Sequence, residues 1–175
     1  MTVKIIDNFI SDFCADILEN QLLGHQPWAG SFPWYYHNDL NGTKKMGNFY
    51  FNHTMVDNGK QYSDFLDIHP ILALIGLSPD RCTRIKANLY PRTQWRVYHQ
   101  EHDDYPPKSG FQTALYYVNT CNRVTKIGNK KIKSIKNRLV VFDGSIPHQS
   151  STPTNVNAGC SINIIYPKNN SYGKF

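Results

Sequence analysis

NRLVVFDGSIPH, residues 137–148, is the stretch on which the reading of the fold turns. NRLVVF is a short β-rich run, Asp143-Gly144 is a tight turn, and a proline then delivers His148 at the end of the buried run, where a ligand is presented inward. The runs around it have the same character: RCTRIKANLY (81–90), QWRVYHQ (94–100), FQTALYYVN (111–119), RVTKI (123–127), KKIKSI (130–135) and CSINIIY (160–166). Gly128-Asn129 between two of them is a hairpin turn. Several short strands at this spacing indicate a sandwich, a barrel or a jelly roll.

The first 80 residues read differently. Ser11 can cap a helix in which Phe13, Ile17, Leu18, Leu22 and Leu23 recur every three to four residues. A second helix is expected from about Gln61 to Leu77, interrupted by Pro70. With no repeat and no linker, residues 1–175 form one domain in this reading, with a helical part over about 1–80 and a β core over about 81–170.

Composition narrows the class without naming a partner. A chain of 175 residues with 40% hydrophobic residues is too apolar for a disordered tail. Its net charge of +6 favours anionic partners, so nucleic acid, a metabolite carboxylate and an acidic protein all stay open. The apolar stretch Ile71 to Leu77 is far below the roughly 20 residues a membrane-spanning helix needs, and the amino terminus does not read as a signal peptide. Cys14, Cys82, Cys121 and Cys160 form no C-x-x-C pair, so free thiols and an intracellular setting are expected. The basic run from Lys126 to Arg138 interleaves Lys131 and Lys133 with Ile132 and Ile135, the pattern of a strand with one solvated face.

A His and a carboxylate two residues apart on a strand point to the same side and can ligate one metal. About 0.5 such pairs are expected by chance in this composition. Three occur, His37-x-Asp39, His99-x-Glu101 and His102-x-Asp104, so spacing alone does not choose between them. A site of two His and one carboxylate also needs a second His from another strand, and His148 lies 44 residues after Asp104, room for about four strands.

At RIKANLYP (84–91), HDDY (102–105), TALYYVN (113–119), NRLVVFDGSIPH and SINIIY (161–166) the chain resembles the Fe(II)- and 2-oxoglutarate-dependent dioxygenases, in particular the prolyl-hydroxylase-like branch and its small phage and bacterial members. The resemblance implies a double-stranded β-helix, a jelly roll with N-terminal helices packed on one sheet, mainly β within an α+β class. It implies iron held by His102, Asp104 and His148, with 2-oxoglutarate and O2 as co-substrates. It also implies a hydroxylase of the cytoplasm of a bacterial or phage-infected cell, acting on a peptide or protein substrate, with a peptidyl proline first in line. Three such ligands suit Fe(II) and leave coordination positions open, whereas a structural zinc site more often closes all four. His99 and Glu101 are read as hydrogen-bonding or loop residues, and His37 and Asp39, beside Trp34, Tyr35 and Tyr36, as part of aromatic packing.

One departure stands out. Enzymes of this family bind the distal carboxylate of 2-oxoglutarate with an Arg or Lys on the strand after the distal His, and here that position is Gly159. Lys86, which shares a strand face with Asn88 and Tyr90, is the expected replacement, with Arg84 second, and a glycine at 159 leaves room for a long side chain to enter. The resemblance further implies co-substrate contacts for Tyr117 and Tyr90, and for Asn88, Thr113 and Ser161. Arg138 is expected in a structural ion pair and Asp143 in its turn. The rival readings are a non-catalytic, metal-binding cupin-like domain that has lost 2-oxoglutarate, and a basic nucleic-acid-binding module.

Overall fold

The β-rich runs of the second half fold as a double-stranded β-helix, built from one large and one small antiparallel sheet. The computed structural model describes residues 2–24, 32–38 and 49–170. In chain order these contain β1 (Lys4–Ile6), α1 (Asp12–Leu23), β2 (Tyr35–His37), β3 (Tyr50–Asp57), β4 (Lys60–Gln61), α2 (His69–Ile75), β5 (Arg84–Pro91), β6 (Phe111–Tyr117), β7 (Val124–Ile127), β8 (Lys130–Lys133), β9 (Arg138–Asp143), β10 (His148–Gln149) and β11 (Ala158–Pro167). The large sheet runs β1-β9-β6-β11-β5-β3-β2, with β4 attached to β3, and the small sheet runs β10-β7-β8.

Strand alternation assigns the two faces of the large sheet. Ile162 pairs with Ala87 on one side and Tyr116 on the other, and Tyr116 pairs with Leu139, so one apolar row crosses four strands. That face carries the main core with Leu18 and Leu22 of α1 and Ile71, Leu72 and Ile75 of α2. The opposite face points between the sheets, where Leu115, Tyr117, Val140 and Phe142 meet Ile127, Ile132 and Ile146. Ser161, one residue from Ile162, pairs with Asn88 and Tyr117 on this inner face. A change of residue type along β5 and β11, from apolar to polar at every second position, is therefore what lines the interior of the β-helix.

Local signals account for the ends of the elements. The Ser11 hydroxyl accepts from the Cys14 amide and starts α1, and Leu18 and Leu22 face the core while Phe13 stays exposed. α2 is shorter than the sequence predicts: Pro70 sits in its first turn and begins the helix rather than interrupting it, and residues 62–68 are not helical. Gly76, at φ +82°, closes it. QWRVYHQ is not a strand either, contributing only a bridge between Tyr98 and Ser151. Conversely, β3 lies within the part read as helical. Its buried Asn52 and His53 and the register shift between Thr54 and Val56 break the period of two that marks a strand. Gly128, at φ +51°, makes the expected β7–β8 hairpin turn.

Among the described residues no helix is long and apolar enough to cross a membrane. The four cysteines are free thiols.

Candidate active site

β10 is two residues long, and its placement sets the site. His148 pairs with Ile127 of β7, and its backbone exchanges both hydrogen bonds with His102, 2.9 and 2.8 Å, across an isolated bridge. The loop after β5 is thereby pinned beside the end of the small sheet. Asp104, two residues on, is anchored by its amide on the Gly144 carbonyl (3.0 Å) in the turn after β9. The donor atoms of His102, Asp104 and His148 consequently all lie within 4.8 Å of one another.

Both imidazoles are oriented by the same local device. His148 Nδ1 lies 3.0 Å from the Ile146 carbonyl oxygen and His102 Nδ1 lies 3.3 Å from that of Gln100. A carbonyl can only accept, so Nδ1 carries the proton in each ring and Nε2 is left as the free lone pair. Burial, reinforced by the neighbouring His148, holds the His102 pKa below its ordinary value, which favours the neutral, ligating form. The Asp104 carboxylate accepts from Thr113 Oγ1 (2.7 Å) and Arg84 Nη2 (3.0 Å), and Oδ2 lies 3.6 Å from His148 Nε2. Two imidazoles and one carboxylate with fixed outer partners fit Fe(II), and the three leave room for further oxygen ligands.

A cavity of about 200 Å³ opens from these three residues along the inner face of β5 and β11. Lys86, Asn88, Tyr90, Thr113 and Ser161, all expected from the sequence to face a small-molecule co-substrate, line it. Lys86 Nζ donates to Tyr50 Oη (3.2 Å) and lies 5.4 Å from the Tyr50 ring centre. Burial, aided by the Arg84 charge, pushes its pKa down to about 8. Arg84, the second expected cation, is engaged by Asp104. Tyr117 is buried behind the lining rather than in it, and its ring centre lies 5.7 Å from the Arg123 guanidinium carbon. Burial raises the pKa of both Tyr90 and Tyr117, against the opposing Arg123 charge, so both stay protonated phenols.

Arg123, which sequence reasoning missed, also lines this cavity. It precedes β7 and is 1% exposed. Nη2 donates to Ser161 Oγ (3.0 Å), the guanidinium lies 4.4 Å from the Tyr90 ring centre, and Nε and Nη1 have no partner. The gap at Gly159 was its one visible trace in the sequence.

The remaining residues occupy structural positions. His99 is buried, bonded through Nδ1 to Ser150 Oγ (2.8 Å) and stacked on Tyr90 at 5.0 Å, and Glu101 is exposed; neither belongs to the His102–Asp104–His148 cluster. Burial pushes the His99 pKa down to about 4. His37 stacks on Tyr50 at 5.1 Å, and Trp34 Nε1 donates to the Leu22 carbonyl, while Asp39 lies outside the described residues. Arg138 holds Asp7 through Nε and Nη2 (2.6 and 2.9 Å). Asp143 accepts from the Ser145 amide and hydroxyl within its turn and pairs with Lys168. Lys130, Lys131 and Lys133 are exposed around a buried Ile132, the solvated face read from the sequence.

No protein-family model matches the sequence, and no curated protein matches it. Solved structures do share its fold. A prolyl hydroxylase from Trichoplax adhaerens, in complex with a hypoxia inducible factor oxygen degradation domain peptide fragment, is 20% identical over 96% of this chain and 84% of its own, with a TM-score of 0.57. A 2OG-Fe(II) oxygenase family oxidoreductase from Burkholderia pseudomallei is 12% identical over 99% and 88%, with a TM-score of 0.60. The viral collagen prolyl hydroxylase of Paramecium Bursaria Chlorella virus-1, a 2OG complex, is 14% identical over 95% and 97%, with a TM-score of 0.53. The chain thus has the fold of the 2-oxoglutarate and Fe(II) oxygenases, prolyl hydroxylases among them.

Proposed function

We propose that the protein is an Fe(II)- and 2-oxoglutarate-dependent dioxygenase that hydroxylates a C–H bond of a second substrate. The observation that carries this is the meeting of His102, Asp104 and His148 at the end of a polar cavity within this fold. Bound iron and 2-oxo acid supply the oxidative chemistry, in which O2 is divided between decarboxylation of the 2-oxo acid and hydroxylation of the substrate. The chain itself contributes placement. The Ile146 and Gln100 carbonyls fix two Nε2 lone pairs, Thr113 and Arg84 orient the Asp104 carboxylate, and Phe142 and Leu115 add apolar surface to the cavity lining.

A peptidyl prolyl residue is the substrate to test first. Two of the three structures described above are prolyl hydroxylases, and one of them holds a peptide fragment.

Anaerobic titration tests the reading. Fe(II) followed by 2-oxoglutarate gives a weak visible charge-transfer band in the wild type and, once O2 is admitted, succinate; His148→Ala loses both while keeping the far-UV circular dichroism of the fold. Metal binding without any band would reject the oxygenase in favour of a cupin-like binding domain. Absence of metal binding would reject both.

A further inference from the structure

We propose that Arg123 is the cation that receives the distal carboxylate of a 2-oxo dicarboxylate, and that residue 159 is glycine because the Arg123 side chain occupies the space beside it. This rests on the oxygenase reading for the identity of the ligand, and on geometry for the cation.

The geometry begins at Gly159. It pairs with Tyr90 on β5, and by alternation it faces inward with Ser161 and Asn163, both of which line the cavity. A Cβ built there lies 3.3 Å from Arg123 Cδ and 3.2 Å from Cys121 Sγ. Even a methyl group at 159 requires the Arg123 stem or the Cys121 thiol to give way slightly, and a long side chain there competes with the stem for the same space. A cation carried at position 159 and the observed Arg123 are therefore alternatives for one volume, delivered from different sheets.

The state of the guanidinium points to an anion. A buried charge is costly unless it is paired and hydrogen-bonded. Among the described residues no carboxylate lies within 4.0 Å of Arg123, two of its nitrogens are buried without partners, and Ser161 Oγ is its single hydrogen-bonding neighbour. The Tyr90 ring beneath it supplies a π face, which attracts the cation and offers it no acceptor. The backbone is fixed: the Arg123 carbonyl accepts from the Ser134 amide, and the next amide donates to Ser151 Oγ. A rigid guanidinium with free donors in a cavity whose other end holds the His102–Asp104–His148 cluster suits a ligand with a carboxylate at its far end, taken in a forked geometry. Lys86 differs in that Tyr50 already accepts from its ammonium.

Calorimetry on the Mn(II)-loaded protein separates the possibilities, with 2-oxoglutarate compared against pyruvate, which keeps the chelating end and lacks the distal carboxylate. Arg123→Met is expected to weaken 2-oxoglutarate roughly 100-fold, as truncating one partner of a buried charge pair does, while leaving pyruvate and Mn(II) affinity unchanged. The ligand-free melting temperature should rise in this variant, because an unpaired buried charge has been replaced by an apolar side chain of similar length. Gly159→Ala should weaken 2-oxoglutarate about 10-fold by displacing the guanidinium, Lys86→Met less than threefold. The double variant Arg123→Ala with Gly159→Arg should recover most of the affinity from the other strand.

Equal losses for pyruvate and 2-oxoglutarate, or no loss in Arg123→Met, would overturn the assignment. A lowered melting temperature with unchanged affinity would make Arg123 a structural residue. If the wild type binds no metal, yet glutarate raises its melting temperature and that rise disappears in Arg123→Met, the oxygenase reading falls while the carboxylate site stands.

Discussion

The cavity has two unlike walls. On one side β5, β6 and β11 belong to a broad sheet backed by two helices, and its inward Thr113 and Lys86 have partners close by, Asp104 and Tyr50, while Asn163 Oδ1 is buried without one. On the other side stands a sheet of three short strands whose outer face is solvated lysine, and it is this sheet and its flanks that bring His148 and Arg123. His148 Nε2 and Arg123 Nε and Nη1 are left without hydrogen-bond partners, apart from the long approach of His148 to Asp104. The difference teaches which polar groups await a ligand. Lys86 and Thr113, already engaged, shape the site, and the cation and the imidazole held rigid yet unsatisfied at the narrow wall are the ones a ligand completes.

If the walls differ in this way, they should also differ in stability. Ile162 of β11 is fully buried in the main core, and Ile132 of β8 lies in the smaller cluster between the sheets. Ile162→Ala should cost about 4 kcal/mol and Ile132→Ala about 2 kcal/mol, the upper and lower parts of the range for such truncations, read from urea denaturation. Native-state hydrogen exchange sharpens the contrast: amides of β8 should open at lower free energy than those of β11. Exchange of both at the global unfolding value would make the walls one cooperative unit and dissolve the distinction.

What the sequence disclosed cuts across the two walls, since the β7–β8 hairpin of the narrow sheet was as legible as β5 of the broad one. Ser11 announced α1, and the runs in the broad wall announced β5, β6, β9 and β11, because burial on one or both faces of a long strand leaves a periodic trace. His102, Asp104 and His148 were found through the resemblance, since three His-x-acid pairs competed and only the tertiary meeting with His148 separates them. Arg123 left almost no trace: a cation just before a strand, close to the Lys126–Arg138 run, looks like solvated surface, and its burial follows from the void opposite, at Gly159, 36 residues later. β3 was hidden because Asn52 and His53 are buried polar residues, His53 bonded to the Pro33 carbonyl and Ser63. α2 is shorter than the Gln61–Leu77 expectation because Pro70 starts it and the apolar Phe65 ahead of it is 64% exposed.

His99 joins the two walls, with its ring on Tyr90 of the broad sheet and its Nδ1 on Ser150 beside β10. Its pKa is pushed down to about 4, so between an ordinary 6.5 and that value the unfolded chain binds a proton that the folded chain refuses. The imidazole's contribution is therefore fully present above pH 6.5 and is lost as pH falls towards 4, with a slope of up to about 1.4 kcal/mol per pH unit. His99→Gln should flatten the difference in urea midpoint between pH 6.5 and 4.5 in metal-free protein. An unaltered slope would mean that other groups set the acid limit and that burial of a neutral His99 between the walls does not.

The smallest expected effect lies at the far edge of the broad sheet, where Arg138 clips β1 to β9 through Asp7. Arg138 sits directly across from Tyr117 in the β6–β9 register, close enough to the Arg123 end of the cavity to be mistaken for its cation. Asp7, however, is half exposed, and its pKa is lowered first by the hydrogen bond from Arg138, so the pair is a surface clasp. Its stabilisation is present above an ordinary carboxylate pKa and fades as pH drops below it. Arg138→Gln should cost about 0.5 kcal/mol at low salt, less at 1 M salt, and leave 2-oxoglutarate affinity untouched. A loss of affinity comparable with that of Arg123→Met would mean that the broad wall also holds the dicarboxylate, and the division of labour between the two sheets would have to be withdrawn.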